Sequence, residues 1–276
     1  MKAFFQSFQL FVILPLIFAT ACGSLPVMYI NRAGSEDQPG SMLTVFAAAS
    51  LTEAFTEIAE EYESLNPGSK VVVNFAGSQQ LAQQLSQGAP ADVYASADQK
   101  QMENVIHAGR VKRGTEKVFI TNQLVVILPA ENPGSIQDLG DLVEAGLQII
   151  LADGAVPVGR YSMEMLDNAS QQSGYGVKFK EDVLNNVVSY EENVRAVLSK
   201  ILLGEADAGI VYLSDAFGAQ EGQIGLIDIP DQVNVTASYF LAPISDSLNP
   251  NLARKFIDFI LSPAGQEIIT RYGFRE

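Results

Sequence analysis

From residue 42 onward the chain repeats one alternation, a short apolar run followed by a segment with apolar residues at helical spacing. MLTVFAA leads into SLTEAFTEIAEEYESLNPG, where Leu51, Ala54, Phe55, Ile58, Ala59 and Tyr62 fall on one helix face and Asn66-Pro67-Gly68 ends the run. KVVVNFAG leads into SQQLAQQLSQG, and ADVYASAD into QKQMENVIHAG, with Asp98 placed to cap the third helix. A strand handing over to a helix, several times in succession, predicts an α/β fold with mixed, mostly parallel sheets.

NQLVVILPAEN is a longer strand, and a second series begins after it. GLQIILADGA, LNNVVSYEEN and ADAGIVYLSDA read as its strands, with VGRYSMEMLDNASQQSG and NVRAVLSKILLGE as helices between them. VTASYFLAPI then returns as a strand, and PNLARKFIDFILSPAGQEIITRYGF supplies closing helices. A second series bracketed by two long strands predicts a lobe over residues 123–238 inserted into a first lobe made of 42–122 and 239–276.

The first 41 residues read differently. Lys2 precedes FFQSFQLFVILPLIFATA, an apolar stretch interrupted by Gln6, Ser7, Gln9 and Pro15, with small Ala19 and Ala21 just before Cys22. This is the pattern of a secretory signal over residues 1–21 and is too broken for a membrane span. ATAC followed by Gly-Ser resembles a bacterial lipobox, which implies a lipid anchor on Cys22 and an extracytoplasmic, membrane-attached protein. Residues 22–41, rich in Gly, Ser, Pro and charge, read as a flexible tether. Cys22 is the only cysteine of the 276 residues, which excludes an intrachain disulfide, a cysteine metal cluster and a thiol nucleophile in the folded part. The formal net charge is −15, and without the leader, which carries one Lys and no acid, 16 basic residues face 32 acidic ones, or −16. That balance excludes a nucleic-acid partner, which needs a basic face. It also opposes long-range steering of an anion, so an anion site here has to rest on local dipoles.

Four helices begin at unusual sequences: Ser50 after three alanines, Ser78 out of FAGSQQ, VPVGRY at 156–161, and EENVRAV at 191–197. A helix start offers unpaired N–H groups and about half a positive charge, so four converging starts supply roughly two. That matches a tetrahedral dianion without using Lys or Arg. Structural explanations exist for each. Ser50 with Glu53 is an S-x-x-E capping box, the proline of VPVGR is common at helix starts, and Tyr212 in GIVYLSD suits a packing aromatic. Ser78 has Leu81 at the third position and is less well explained by a box, while Gly77 permits close backbone approach. Ala47, Ala48 and Ala49 strip the strand end bare where open α/β sheets bind ligands, which tips Ser50 toward binding.

VFAAASLTEAF, FAGSQQLAQQLSQGAPADVYASADQKQM, VPVGRY, ENVRAVL, DAGIVYLSDA and the terminal RYGF, in this order over residues 43 to 274, resemble the molybdate-binding proteins of bacterial ABC importers. The resemblance implies a class II, two-lobed periplasmic-binding-protein-like fold that closes on its ligand. It also implies a non-enzymatic role, no cofactor, and a permease and ATPase as partners of a monomer. Two serine hydroxyls, a tyrosine hydroxyl and backbone amides hold the oxyanion in that family; carried over, they are Ser50, Ser78, Val158, Val194 and Tyr212. Val158 stands where some relatives have Ala, which matters only if its side chain narrows the pocket. Molybdenum would be bound only as the oxyanion, molybdate or tungstate, which nothing in the residues separates.

None of the five positions is acidic, so the site has nothing to accept a proton from hydrogen phosphate, and the reading predicts its rejection. Glu191 or Glu192 pointing inward would weaken that argument; Arg160 and Arg195 either reinforce the field or pair with acids. The rival readings are a sulfate or phosphate receptor, a metal-binding relative and a secreted serine hydrolase. The metal site lacks its ligand cluster, and the hydrolase has no G-x-S-x-G and a single histidine, His107, expected to be a surface residue.

Overall fold

The computed structural model describes residues 42–217, 219 and 222–275. The apolar leader, Cys22 and the tether lie outside the described residues.

The first alternations fold as read. β1 (Met42–Ala48) passes through a 3-10 turn (Ala49–Leu51) into α1 (Thr52–Leu65), followed by β2 (Lys70–Ala76), α2 (Ser78–Ser86), β3 (Val93–Ser96) and α3 (Gln99–His107). β1 lies between β2 and β3, parallel to both, with Val45 opposite Val73 and Val93. The apolar face of α1 buries Ala54, Phe55, Ile58, Ala59 and Tyr62, five of the six residues read onto it; the sixth, Leu51, is buried in the preceding turn. Full burial of a side chain such as Ile58 contributes roughly 1.5–3 kcal/mol. Asp98 caps α3 as expected, accepting from the Gln101 N–H at 2.8 Å.

The long β4 (Lys117–Pro129) then carries the chain into the second series: β5 (Ile149–Ala152), α4 (Pro157–Ser170), α5 (Phe179–Asn185), β6 (Val187–Glu191), α6 (Val194–Leu202), β7 (Ala208–Tyr212), α7 (Leu213–Phe217) and β8 (Ile224–Asp228). β9 (Thr236–Pro243) returns, and α8 (Pro250–Ile260) and α9 (Pro263–Arg271) close the first half. Strand order is β2-β1-β3-β9-β4-β7-β5-β6, with β8 also paired to β4. Residues up to Gln123 of β4 pair with β9, and those from Leu124 pair with β7. The strand therefore changes partner between Gln123 and Leu124.

The sheet is mixed. Parallel pairs make up the β1–β2–β3 and β5–β6–β7 groups, while every pairing of β4 and β9 is antiparallel. The parallel share is smaller than the alternation alone suggests, because two strands link the halves and run against their neighbours. The sequence reading does not place α5, a short 3-10 helix at Leu139–Val143, α7 or β8. GIVYLSDA turns from strand to helix directly after Tyr212, forming α7, and IGLID adds an edge strand, β8, whose Leu226 is half-exposed.

Candidate oxyanion site

Three helix starts and two strand ends meet at a single hollow. Ala48, Ala49 and Ser50 line it from the end of β1, Gly77 and Ser78 from the start of α2, and Ala97 from the segment after β3. Across from them stand Val156, Pro157 and Val158 at the start of α4, Asn193 and Val194 at the start of α6, and Tyr212 at the end of β7. The five residues singled out in the sequence thus face one space from both halves, and each is at most 4 % exposed. The three helix dipoles place about one and a half positive charges around the hollow, and no ionised side chain lines it.

Ser50 does not cap α1. The 3-10 turn puts Leu51 at the cap position, and Glu53 reaches Arg195 at 2.5 Å instead of closing a capping box. The Ser50 hydroxyl lies 2.8 Å from that of Tyr239 on β9. Ser78 is the first residue of α2 after Gly77, whose N–H is taken by the Gln80 side chain at 3.1 Å. Ser78 Oγ accepts the Ala97 N–H at 3.1 Å, and its carbonyl accepts the Tyr94 hydroxyl at 3.0 Å. Those bonds hold the serine in place and leave its proton uncommitted.

Two structural devices set the amide positions. Asn193 caps α6, its side chain accepting the Ala196 N–H at 3.0 Å, which positions Val194 as the first helical residue. Pro157 opens α4, and Val158, buried and lining the hollow, follows it. Tyr212 is different again, since its hydroxyl is buried with no hydrogen-bond partner. Burial, with Tyr239 and Tyr161 nearby, pushes its pKa well above the ordinary phenolic value, so it stays a donor.

The charged neighbours turn away from the hollow and toward each other. Arg160 pairs with Asp98 at 3.1 Å, and Arg195 with Glu53 and, at 3.6 Å, Asp215. Glu191 pairs with Lys200 at 2.7 Å, and the Glu192 carboxylate accepts from Gln80 at 3.0 Å. No acceptor carboxylate faces the space. His107 is exposed, with Glu103 4.0 Å away, and among the described residues no cluster of three His, Cys, Asp or Glu could hold a metal ion.

A family model described as bacterial extracellular solute-binding protein matches residues 43–275. The chain belongs to that family. This solute-binding protein is 38% identical over 254 residues to the molybdate-binding protein ModA of Mycobacterium tuberculosis, covering 92% of this chain and 91% of the relative. It is 32% identical to ModA of Escherichia coli, covering 88% and 92%. Among solved structures it resembles the substrate-binding domain of a putative molybdenum ABC transporter from Clostridium difficile, at 32% identity and a TM-score of 0.64, covering 86% and 99%. The Azotobacter vinelandii periplasmic molybdate-binding protein shares its fold at 21% identity and a TM-score of 0.72, covering 85% and 99%. The two-lobed α/β fold of periplasmic binding proteins read from the sequence is therefore present, and relatives named for binding agree with a non-enzymatic role.

Sequence reasoning overlooked what stands behind these residues. Tyr239 was read only as part of a returning strand, and Asp215 lay inside a run taken for strand. Tyr239 is far in sequence from every residue lining the hollow, and although Asp215 is only three positions past Tyr212, no local spacing marks either.

Proposed function

We propose that the hollow captures molybdate, and tungstate equally, for delivery to a membrane permease driven by a separate ATPase. Ser50, Ser78 and Tyr212 donate from side chains and Val158 and Val194 from backbone amides, while residues 42–122 with 239–276 and residues 123–238 move as the two lobes. A doubly negative oxyanion leaving water needs its hydration replaced, and neutral donors do this without burying a second ion. The observation that carries the reading is the Tyr212 hydroxyl, fully buried, partnerless and at the hollow. Such a group is costly in an isolated fold and is satisfied by an acceptor in the space it lines. Anchoring through a lipid on Cys22 and action as a monomer outside the cytoplasm complete the proposal.

Calorimetric titration with molybdate, tungstate, sulfate and phosphate tests it. Molybdate and tungstate should bind alike, hydrogen phosphate should give no heat because nothing accepts its proton, and sulfate should bind more weakly by its smaller size. Tyr212→Phe should weaken molybdate by about 1–3 kcal/mol, the cost of leaving a charged partner short of one hydrogen bond. Heat with phosphate and none with molybdate would overturn the assignment.

A further inference from the structure

Tyr239 stands behind Ser50, its ring edge-on to Phe119, Tyr212 and Phe274 with centroids 6.5, 5.7 and 5.4 Å away. The residue is fully buried, and its hydroxyl contacts two groups, Ser50 Oγ at 2.8 Å and Asn122 Nδ2 at 3.5 Å. The Asn122 amide is oriented by its other contacts. Its oxygen accepts the Gln123 N–H at 2.9 Å, and its nitrogen donates to Ser214 Oγ at 2.8 Å. The NH2 end therefore faces Tyr239, and an NH2 group has nothing to accept with. Asp215 is the nearby carboxylate, and neither of its oxygens takes a hydrogen bond.

The phenolic proton thus has one acceptor, Ser50 Oγ. Were Ser50 to donate instead, the Tyr239 O–H would be a buried donor with no partner, the costlier arrangement. Ser78 offers a parallel case in which the direction is beyond choice, because the Ala97 N–H can only donate to Ser78 Oγ.

We propose that Tyr239 is a positioning residue for the oxyanion site: it donates to Ser50 Oγ and so leaves the Ser50 proton to point into the hollow. The inference rests on the oxyanion reading above and adds to it a reason for the site's polarity. Both serines receive a donor from the fold and have only a proton to offer, so the hollow presents donors to whatever enters it. Tyr239 touches no ligand in this scheme and acts through Ser50 alone.

A double-mutant cycle on molybdate affinity separates that role from a structural one. The full chain, kept in detergent because of its apolar start, is titrated as parent, Tyr239→Phe, Ser50→Ala and the double variant. Tyr239→Phe removes one oxygen and keeps the three ring contacts, and melting of the ligand-free chain checks that the fold is retained. The expected result is about tenfold weaker molybdate binding for Tyr239→Phe in the parent, and less than about twofold in the Ser50→Ala background, because residues acting as one unit are non-additive. An unchanged affinity in the parent, or the same loss in both backgrounds, overturns the proposal. A parent chain that takes up no molybdate sinks the oxyanion reading itself, a different outcome from an additive cycle.

Discussion

Asp215 and Tyr212, three positions apart, are both buried with side-chain oxygens that find no hydrogen bond, yet their chemistry differs. The tyrosine stays neutral and keeps a proton to give. The aspartate loses its hydration with chiefly Arg195, 3.6 Å away, to offset the loss, and burial raises its pKa from 3.8 to about 7, with Arg195 opposing and Glu53 adding to the rise. A carboxyl group whose folded pKa lies above its unfolded one holds its proton more tightly in the native state. Its contribution to stability is therefore greatest below pH 3.8 and is lost as pH rises to about 7, staying lost above that. Asp215→Asn removes this dependence. Melting temperatures of parent and variant, measured from pH 4 to pH 8, should diverge as pH rises, with the asparagine form the more stable at the upper end. Parallel curves would mean that the carboxylate is solvated after all. The groups facing Asp215, namely Arg195, Glu53, Tyr212 and Tyr239, are common to both chains, so the difference isolates the one carboxyl.

At the scale of elements, the helix starts do most of the positioning, and one glycine among them went unnoticed. In VPVGRY the proline looked like the structural residue, but a Cβ on Gly159 would run into the backbone carbonyls of Ala152 and Asp153 at the end of β5. The start of α4 packs directly onto that strand end, which brings Val158 to the hollow. Gly159→Ala should cost about 1–3 kcal/mol, the range for overpacking a tight contact, and should weaken ligand binding as α4 backs away. Urea denaturation alongside a molybdate titration reads both effects, and a variant with parental midpoint and affinity would refute the argument. Much of this level was legible in advance: the alternation marked β1 through α3, the alanines marked a bare strand end, and Asp98 marked a cap. What stayed hidden was tertiary. S-x-x-E reads as a capping box, yet Glu53 finds Arg195 from the other half, 142 positions away, and Ser50 finds Tyr239, 189 away. Local spacing carries no information about partners that distant, and for the same reason α7 was hidden behind an apolar strand that simply stops.

Across the whole molecule, the halves meet through pairs that flank the hollow. Asp98 meets Arg160, Glu53 meets Arg195, the Gln101 side chain donates to the Ala155 carbonyl at 3.2 Å, and that of Gln79 donates to the Glu192 carbonyl at 2.7 Å. The Glu53–Arg195 pair is partly exposed and contributes little to stability on its own, whereas the Asp98 carboxylate is buried; both contacts bear on how closely the halves approach. Gly77 governs that distance most directly. Its φ of −57° suits any residue, so alanine there introduces no backbone strain. A Cβ on Gly77 would nevertheless stand 2.8 Å from the Glu192 carbonyl oxygen, a contact between halves that has to open. The Gln79 amide, 2.6 Å from the same point, is the end of a flexible side chain and can swing aside. Gly77→Ala should therefore leave melting of the ligand-free chain within about 0.5 kcal/mol of the parent, as for a substitution that disturbs no core contact. It should weaken molybdate binding by about 1–3 kcal/mol, the cost of overpacking. Small-angle scattering at saturating molybdate should give a larger radius of gyration for the variant than for the parent, because the halves stop short. Equal radii and equal affinities would show that Gly77 and Glu192 separate without cost, and that closure of the halves is not what brings Ser78 within reach of the ligand.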